Sequence, residues 1–435
     1  MTSRIRSFLR CIECGSEYST TTMYECERCG GLLDVEHDWG MIAERVSRRL
    51  FDERLGVLSP PYNSGVWRFK ELVHPSIDPK LIVTRTHRGR SEGNAPIYRS
   101  NRLAKWVGLK RALLLKHEGE NPTGSFKDCG MTVGITEARR QGAKSVTCAS
   151  TGNTAASLAA YAAQAELKCF VFVPRGAVAY GKMCQMLAHG AKVLEVNGSF
   201  DQALDLVRRY VESSDSYLLN SINPWRLEGQ KAIIFAMVQL LGWKSPDWVI
   251  LPGGNLGNAS AFGKALREIG GLDLIDRLPK LGIIQAEGAN PFYETWMRHS
   301  KGLIEVAHPE TLASAIRIGR PVNWRKAIRS LNWCGGVVEQ VSDQEIMDAK
   351  AIIDGCGIGC EPSAAASVAG LKKLLEQGTV DVNEEVVCIL TGNILKDIDS
   401  TVQYHLSQLK SIHSAHANKP VVIEPTLEDA SRILG

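Results

Sequence analysis

From Leu113 on, short apolar runs alternate with stretches of helical period, and no other feature limits the accessible folds as much. Predicted strands are Ala112–Leu115, Val146–Ala149, Cys169–Val173, Lys192–Val196, Trp248–Leu251, Ile283–Ala286, Gly336–Gln340 and Val386–Leu390. Helical patterns such as Thr154–Ala165 and Phe200–Val211 lie between most of them. Short apolar strands of this kind must be covered on both faces, and intervening helices supply that cover in parallel sheets. The fold class is therefore α/β, and 435 residues leave room for two or three domains. Upstream, Gly40 to about Pro61 reads as a charged amphipathic helix followed by a linker.

The amino-terminal segment follows a different logic. Cys11-x2-Cys14 and Cys26-x2-Cys29 are separated by eleven residues, and each pair is followed by glycine, Gly15 and Gly30. Four thiolates in two such knuckles suit a tetrahedral zinc ion, and a segment this short needs a staple. A site closed by four thiolates has no open ligand position, so structural zinc is expected. The other eight cysteines are scattered through apolar or glycine-rich segments, as buried free thiols in a reducing cytoplasm would be.

Net charge is only +4, and no long basic run or aromatic-interleaved patch occurs, which argues against a nucleic-acid partner. No apolar stretch reaches membrane-spanning length. The basic start, residues 1–10, faintly has the character of a transit peptide, but it is short and runs directly into Cys11, so no signal peptide is expected.

Chemistry concentrates first at Asn121-Pro-Thr-Gly-Ser-Phe-Lys127-Asp128. A Pro/Gly turn precedes a predicted helix start, with Ser125 as N-cap and Asp128 returning the hydrogen bond. Lys127 then stands in the first turn, where the helix dipole disfavours positive charge and eases deprotonation. A neutral amine can form an imine with an aldehyde. An isolated lysine here would read as a solvated charge; two anion loops downstream change that reading. Pro252-Gly-Gly-Asn-Leu-Gly-Asn258 joins a strand to the helical run Ala259–Ile269, and its amides can cradle a phosphate. No Gly-Lys-Ser/Thr follows, which disfavours a P-loop, and a dinucleotide fingerprint is also disfavoured, leaving a single phosphate. Ser150-Thr-Gly-Asn-Thr154 opens another helix and suits a carboxylate, although a plain cap by Thr154 would explain it equally well. Arg226, in Asn220-Ser-Ile-Asn-Pro-Trp-Arg226, has the geometry to grip a phosphate or to sit on a helix surface; Lys182 is a further cation candidate, or a solvated charge. Thr391 ends the strand Val386–Leu390 with a neutral hydroxyl, at the kind of strand end where α/β ligands gather.

Imine-forming lysine, phosphate cup, carboxylate loop and neutral hydroxyl together point to pyridoxal phosphate. The set resembles the fold-type II pyridoxal-phosphate enzymes (tryptophan synthase β-like) and, within them, the threonine synthase family. The motifs that carry the likeness are Glu92-Gly-Asn-Ala-Pro-Ile97, Asn121–Asp128, Ser150–Thr154, Asn220–Arg226 with Leu-Glu-Gly-Gln230, Gly253–Asn258 and Thr391–Asp397. The amino-terminal knuckles and Ser64-Gly-Val-Trp-Arg68 are similar to that family as well, so the likeness covers essentially the whole chain. It departs slightly at Ala95, Ile97 and Asn393, where the family often has Thr, Leu and His.

The resemblance implies two parallel-sheet α/β domains behind a zinc-ribbon-like segment: residues 1–36 the ribbon, 37–111 and 223–435 the large cofactor domain, and 112–222 the small domain. It implies that Lys127 carries the cofactor as a Schiff base, flanked by Phe126, and that Gly253, Gly254, Asn255, Gly257 and Asn258 hold its phosphate. Asn153 is expected at the pyridine 3-oxygen and Thr391 at the pyridine nitrogen, where a hydroxyl makes the ring a weaker electron sink than a carboxylate would. The implied substrate is O-phospho-L-homoserine. Ser150, Thr151 and Thr154 would hold its carboxylate; Lys182, Asn220, Ser221, Arg226 and Asn255 would hold its phosphate. Phosphate is eliminated, water adds, and threonine is the product, with Lys127 as anchor, acid and base. A cytoplasmic homodimer is expected from the same resemblance. The rival readings are a threonine or serine dehydratase of the same fold, which has no use for a substrate-phosphate grip, and a non-catalytic relative in which the ribbon recruits a partner.

Overall fold

The computed structural model describes residues 5–20, 23–175, 180–198 and 200–434. The amino terminus forms an antiparallel sheet in the order β2-β1-β3, from Ser7–Cys11 (β1), Glu17–Tyr18 (β2) and Leu33–His37 (β3). These short strands are too mixed in polarity to stand out in the sequence. The expected single helix after Gly40 is instead two short ones, Trp39–Ala43 and Arg48–Glu53, because Asp38 and Ser47 each cap a new start.

A six-stranded sheet runs Gly336–Val341, Lys280–Ala286, Trp248–Pro252, Val386–Leu390, Leu113–His117, Ile97–Ser100, parallel except for the last, antiparallel edge strand. A four-stranded parallel sheet runs Lys192–Val196, Lys168–Pro174, Ser145–Ala149, Ser216–Leu218. The strand Leu113–His117, with which the small domain was expected to begin, pairs in parallel with Val386–Leu390 in the large sheet. Periodicity alone could not assign it, since an apolar run is buried equally well in either sheet. The central strands have no exposed side (Val249, Ile250, Leu251, Val387, Cys388 and Ile389 are all fully buried), as parallel sheets between helical layers require.

Ribbon and body are joined by buried charges. Asp34 on β3 pairs with Lys326 at 2.7 Å and with Arg329. Glu228 bonds Lys231 and Lys264, each at 2.5 Å, and lies 3.3 Å from His37 of β3. Burial opposes ionisation of Glu228, but Lys231 and Lys264 hold its carboxyl below the usual carboxylate range. Glu228 belongs to helix Pro224–Leu240 and Lys264 to helix Gly257–Gly271, so the network braces the two helices that present Arg226 and the glycine loop.

Candidate active site

The carboxyl end of Val386–Leu390 is zipped to the Asn121–Lys127 turn. Phe126 donates its N–H to the Thr391 carbonyl at 3.1 Å, and Asn393 donates to the Gly124 carbonyl at 2.9 Å. Gly124 takes φ +83°, a left-handed angle that suits glycine. Lys127 and Thr391, far apart in sequence, therefore line one cavity of about 840 Å³.

The expected capping box does not form. Phe126 is the N-cap of helix Lys127–Arg140 without a side-chain bond, and the buried Ser125 hydroxyl has no hydrogen-bond partner. Asp128 instead turns away, accepting from the Thr123 N–H at 2.7 Å, the Thr123 hydroxyl at 2.6 Å and the Ser157 hydroxyl at 2.6 Å. It thus clamps the lysine turn to the helix Asn153–Gln164. Burial pushes its carboxyl up to about 6 despite those bonds. Thr154 is no cap either: Gly152 occupies that position without a side-chain bond.

Lys127 is mostly buried, and its amine lies 4.2 Å from the centroid of the Phe126 ring. Burial, with Arg226 adding repulsion and Glu361 opposing it, holds the amine well below the ordinary lysine range. Deprotonation to a nucleophilic nitrogen is thereby eased.

Also lining the cavity are Phe126, Ser150, Thr151, Asn153, Thr154, Asn220, Ser221, Arg226, Gly254, Asn255, Gly257, Asn258 and Thr391. Gly253 is not in the lining. Its N–H bonds the Ile284 carbonyl at 2.6 Å, and a Cβ there would stand 2.8 Å from Ile283, so it shapes the turn from behind. Asn220 pairs both amide groups with the Ala149 backbone, at 2.9 and 3.0 Å, and so straps down the strand that ends in the Ser150 loop. The side chain of Lys182 lies outside the described residues.

Arg226 is 1% exposed. One nitrogen donates to the Leu219 carbonyl at 3.0 Å, while Nε and Nη2 are buried without a hydrogen-bond partner. Burial lowers the guanidinium to about 10. Buried donors left unpaired beside a cavity are costly unless an anion completes them.

Glu361 and Lys396 are among the cavity residues that the sequence did not single out. Glu361 accepts from the Asn153 amide at 3.0 Å and lies 3.5 Å from the Thr391 hydroxyl. Lys396 donates to the Thr123 carbonyl at 3.0 Å and to Gln185. An acid just before Pro362 at a helix start signals only a favourable dipole position, so nothing in the sequence marked Glu361 out.

This donor set fits pyridoxal phosphate: a lysine held below its ordinary range, a glycine turn opening the helix Gly257–Gly271, and neutral Asn153 and Thr391 facing the same space. The comparisons agree with that fit. Residues 89–392 match the family described as pyridoxal-phosphate dependent enzyme, and the chain belongs to that class. A threonine synthase of Methanocaldococcus jannaschii is 45% identical over 98% of both chains. Threonine synthase 2, chloroplastic, of Arabidopsis thaliana is 37% identical over 94% of this chain and 80% of its own. Within the class, then, this chain is a member of the threonine synthase family. Maize serine racemase, at 19% identity and a TM-score of 0.63 over 79% of this chain and 97% of its own, shares the fold.

Proposed function

We propose that this cavity converts O-phospho-L-homoserine and water into L-threonine and phosphate, and that the residues divide the work as follows. Pyridoxal phosphate would be held by Asn255, Gly257, Asn258 and the Gly254 amide, with Gly253 shaping the turn from behind, and would supply the sink for the electrons released at the substrate's α-carbon. Lys127 anchors it and then works as a base, because burial holds its amine well below the ordinary lysine range and so eases its deprotonation. It takes the proton from the α-carbon, moves a second from the β-carbon as phosphate departs, and returns one to the γ-carbon; water then adds its hydroxyl at the β-carbon and a proton goes back to the α-carbon. Ser150, Thr151 and Thr154 hold the substrate carboxylate at the opening of the helix Asn153–Gln164. Arg226, with Ser221, Asn255 and Lys182, holds the γ-phosphate; Asn220 contributes by fixing the Ser150 loop.

The observation that carries this reading is the pair of partnerless Arg226 nitrogens in the cavity that also holds Lys127. A dehydratase acting on an unphosphorylated amino acid would leave that buried cation without its anion. The deciding assay supplies O-phospho-L-homoserine and measures threonine and phosphate, and supplies threonine and measures ammonia. Equimolar threonine and phosphate support the proposal, whereas ammonia from threonine as the faster reaction overturns it.

Structural zinc on Cys11, Cys14, Cys26 and Cys29 is part of the same proposal: their sulfurs lie within 4.8 Å of one another. A cytoplasmic homodimer completes it. All twelve cysteines are free, and no helix among the described residues is long and apolar enough to cross a membrane. The dimer rests on the family likeness.

A further inference from the structure

Glu361 has no part in the chemistry assigned above, yet its carboxylate lies among the groups that would face the cofactor ring. It is 5% exposed, at the start of helix Pro362–Glu376. Its N–H donates to the Gly392 carbonyl at 3.1 Å, which fixes the backbone beside the Thr391 turn. One oxygen lies 3.0 Å and the other 3.3 Å from the Asn153 amide nitrogen, and the Thr391 hydroxyl is 3.5 Å away. Gly392 makes room for this arrangement, since a Cβ there would stand 2.4 Å from the carboxyl carbon of Glu361.

An ionised carboxylate only accepts hydrogen bonds. The hydrogen of the Thr391 hydroxyl is therefore drawn toward Glu361, and the lone pairs of that oxygen are left facing the cavity. The hydrogen-bond donors on Glu361 are neutral; burial raises its carboxyl above the usual carboxylate range while Asn153, Lys396 and Lys127 act the other way, so the ionised form is helped by a further cation nearby.

We propose that Glu361 is a positioning residue that acts through Thr391: it turns the hydroxyl into an acceptor, so that the cofactor's ring nitrogen is held protonated. The inference rests on the reading of Thr391 as the partner of that nitrogen. It changes one consequence of that reading, because the hydroxyl relays a carboxylate's charge and the ring becomes a stronger electron sink than a lone hydroxyl would allow.

The test is 15N NMR of the resting holoenzyme reconstituted with pyridoxal phosphate labelled at the ring nitrogen. The wild-type resonance is expected at the upfield position of a protonated pyridinium. Glu361→Gln can donate from its amide to Thr391, so its resonance should move downfield to the position of a neutral pyridine. Gly392→Ala, which displaces the carboxylate while leaving both side chains in place, should move it the same way and serves if Glu361→Gln fails to retain the cofactor. A merely structural role for Glu361 would alter cofactor affinity without moving the resonance. Both variants keeping the wild-type position, or a neutral nitrogen in the wild type, would overturn the inference alone. Wild-type protein that attaches no cofactor at Lys127 would overturn the underlying reading as well.

Discussion

Gly130 and the Arg226 carbonyl pack so closely that a Cβ on the glycine would stand 2.7 Å from that oxygen and 3.0 Å from the arginine Cγ. Helix Lys127–Arg140 and helix Pro224–Leu240 meet here, and the mirror contact is tighter still: a Cβ on Gly229 would come 2.1 Å from the Cys129 carbonyl. The glycines set the distance between the lysine proposed as anchor and base and the arginine proposed to hold the leaving phosphate. Gly130→Ala should therefore force the helices apart, costing about 1–3 kcal/mol of stability as overpacking does. Its lysine-bound cofactor band should persist while KM for the phosphorylated substrate rises. Unchanged KM in a properly folded variant would show that helix spacing does not set the arginine's grip.

Arg226→Ala isolates the phosphate grip itself. Loss of one partner of a buried charge pair costs about 2–5 kcal/mol, so KM for O-phospho-L-homoserine should rise by roughly 30-fold or more. Cofactor uptake, followed by absorbance, should match wild type. Wild-type KM in this variant would remove the substrate assignment and leave the cofactor assignment standing.

Lys127→Ala should abolish turnover and covalent attachment together. Borohydride reduction followed by peptide mapping should place the pyridoxyl group on Lys127 in wild type and on no peptide in the variant. A reduced adduct on Lys396, which with Lys127 lines the cavity among the described residues, would relocate the anchor.

Stability should carry a signature of His37. Burial pushes its imidazole down to about 4, against the pull of Glu228. The ring is thus neutral when folded but protonates near pH 6.5 when unfolded. Its contribution is fully present above pH 6.5 and is lost as pH falls through about 4. The size is about 3 kcal/mol at 1.36 kcal/mol per unit. Denaturant unfolding between pH 4 and pH 6.5 should show a shallower dependence in His37→Gln than in wild type. Parallel curves would mean that His37 titrates alike in both states.

Metal analysis should find about one zinc per chain, held by four cysteines. Cys14→Ser, or strong chelation, should release it and raise hydrogen exchange in the Ser7–Cys11 and Leu33–His37 strands. Thermal stability should fall with it, because the Leu33–His37 strand brings Asp34 and His37 to the buried charges of the body. Protein purified without metal that retains full exchange protection would refute the structural role.

The sequence determined what local chemistry can encode. Eight predicted runs became parallel strands, and the central ones are buried on both faces, which leaves so apolar a segment little choice. The lysine turn, the glycine loop and the paired cysteines were legible because each needs particular residues at fixed short spacing. Tertiary structure decided everything that depends on distance across the chain. Leu113–His117 joined the large sheet, Asp128 left its expected cap to clamp Thr123 and Ser157, and Asn220 went to the Ala149 backbone. Glu361 reached Asn153 and Thr391 from 208 and 30 residues away. Such pairings follow from which strand ends are brought side by side, and a one-dimensional pattern carries no record of that.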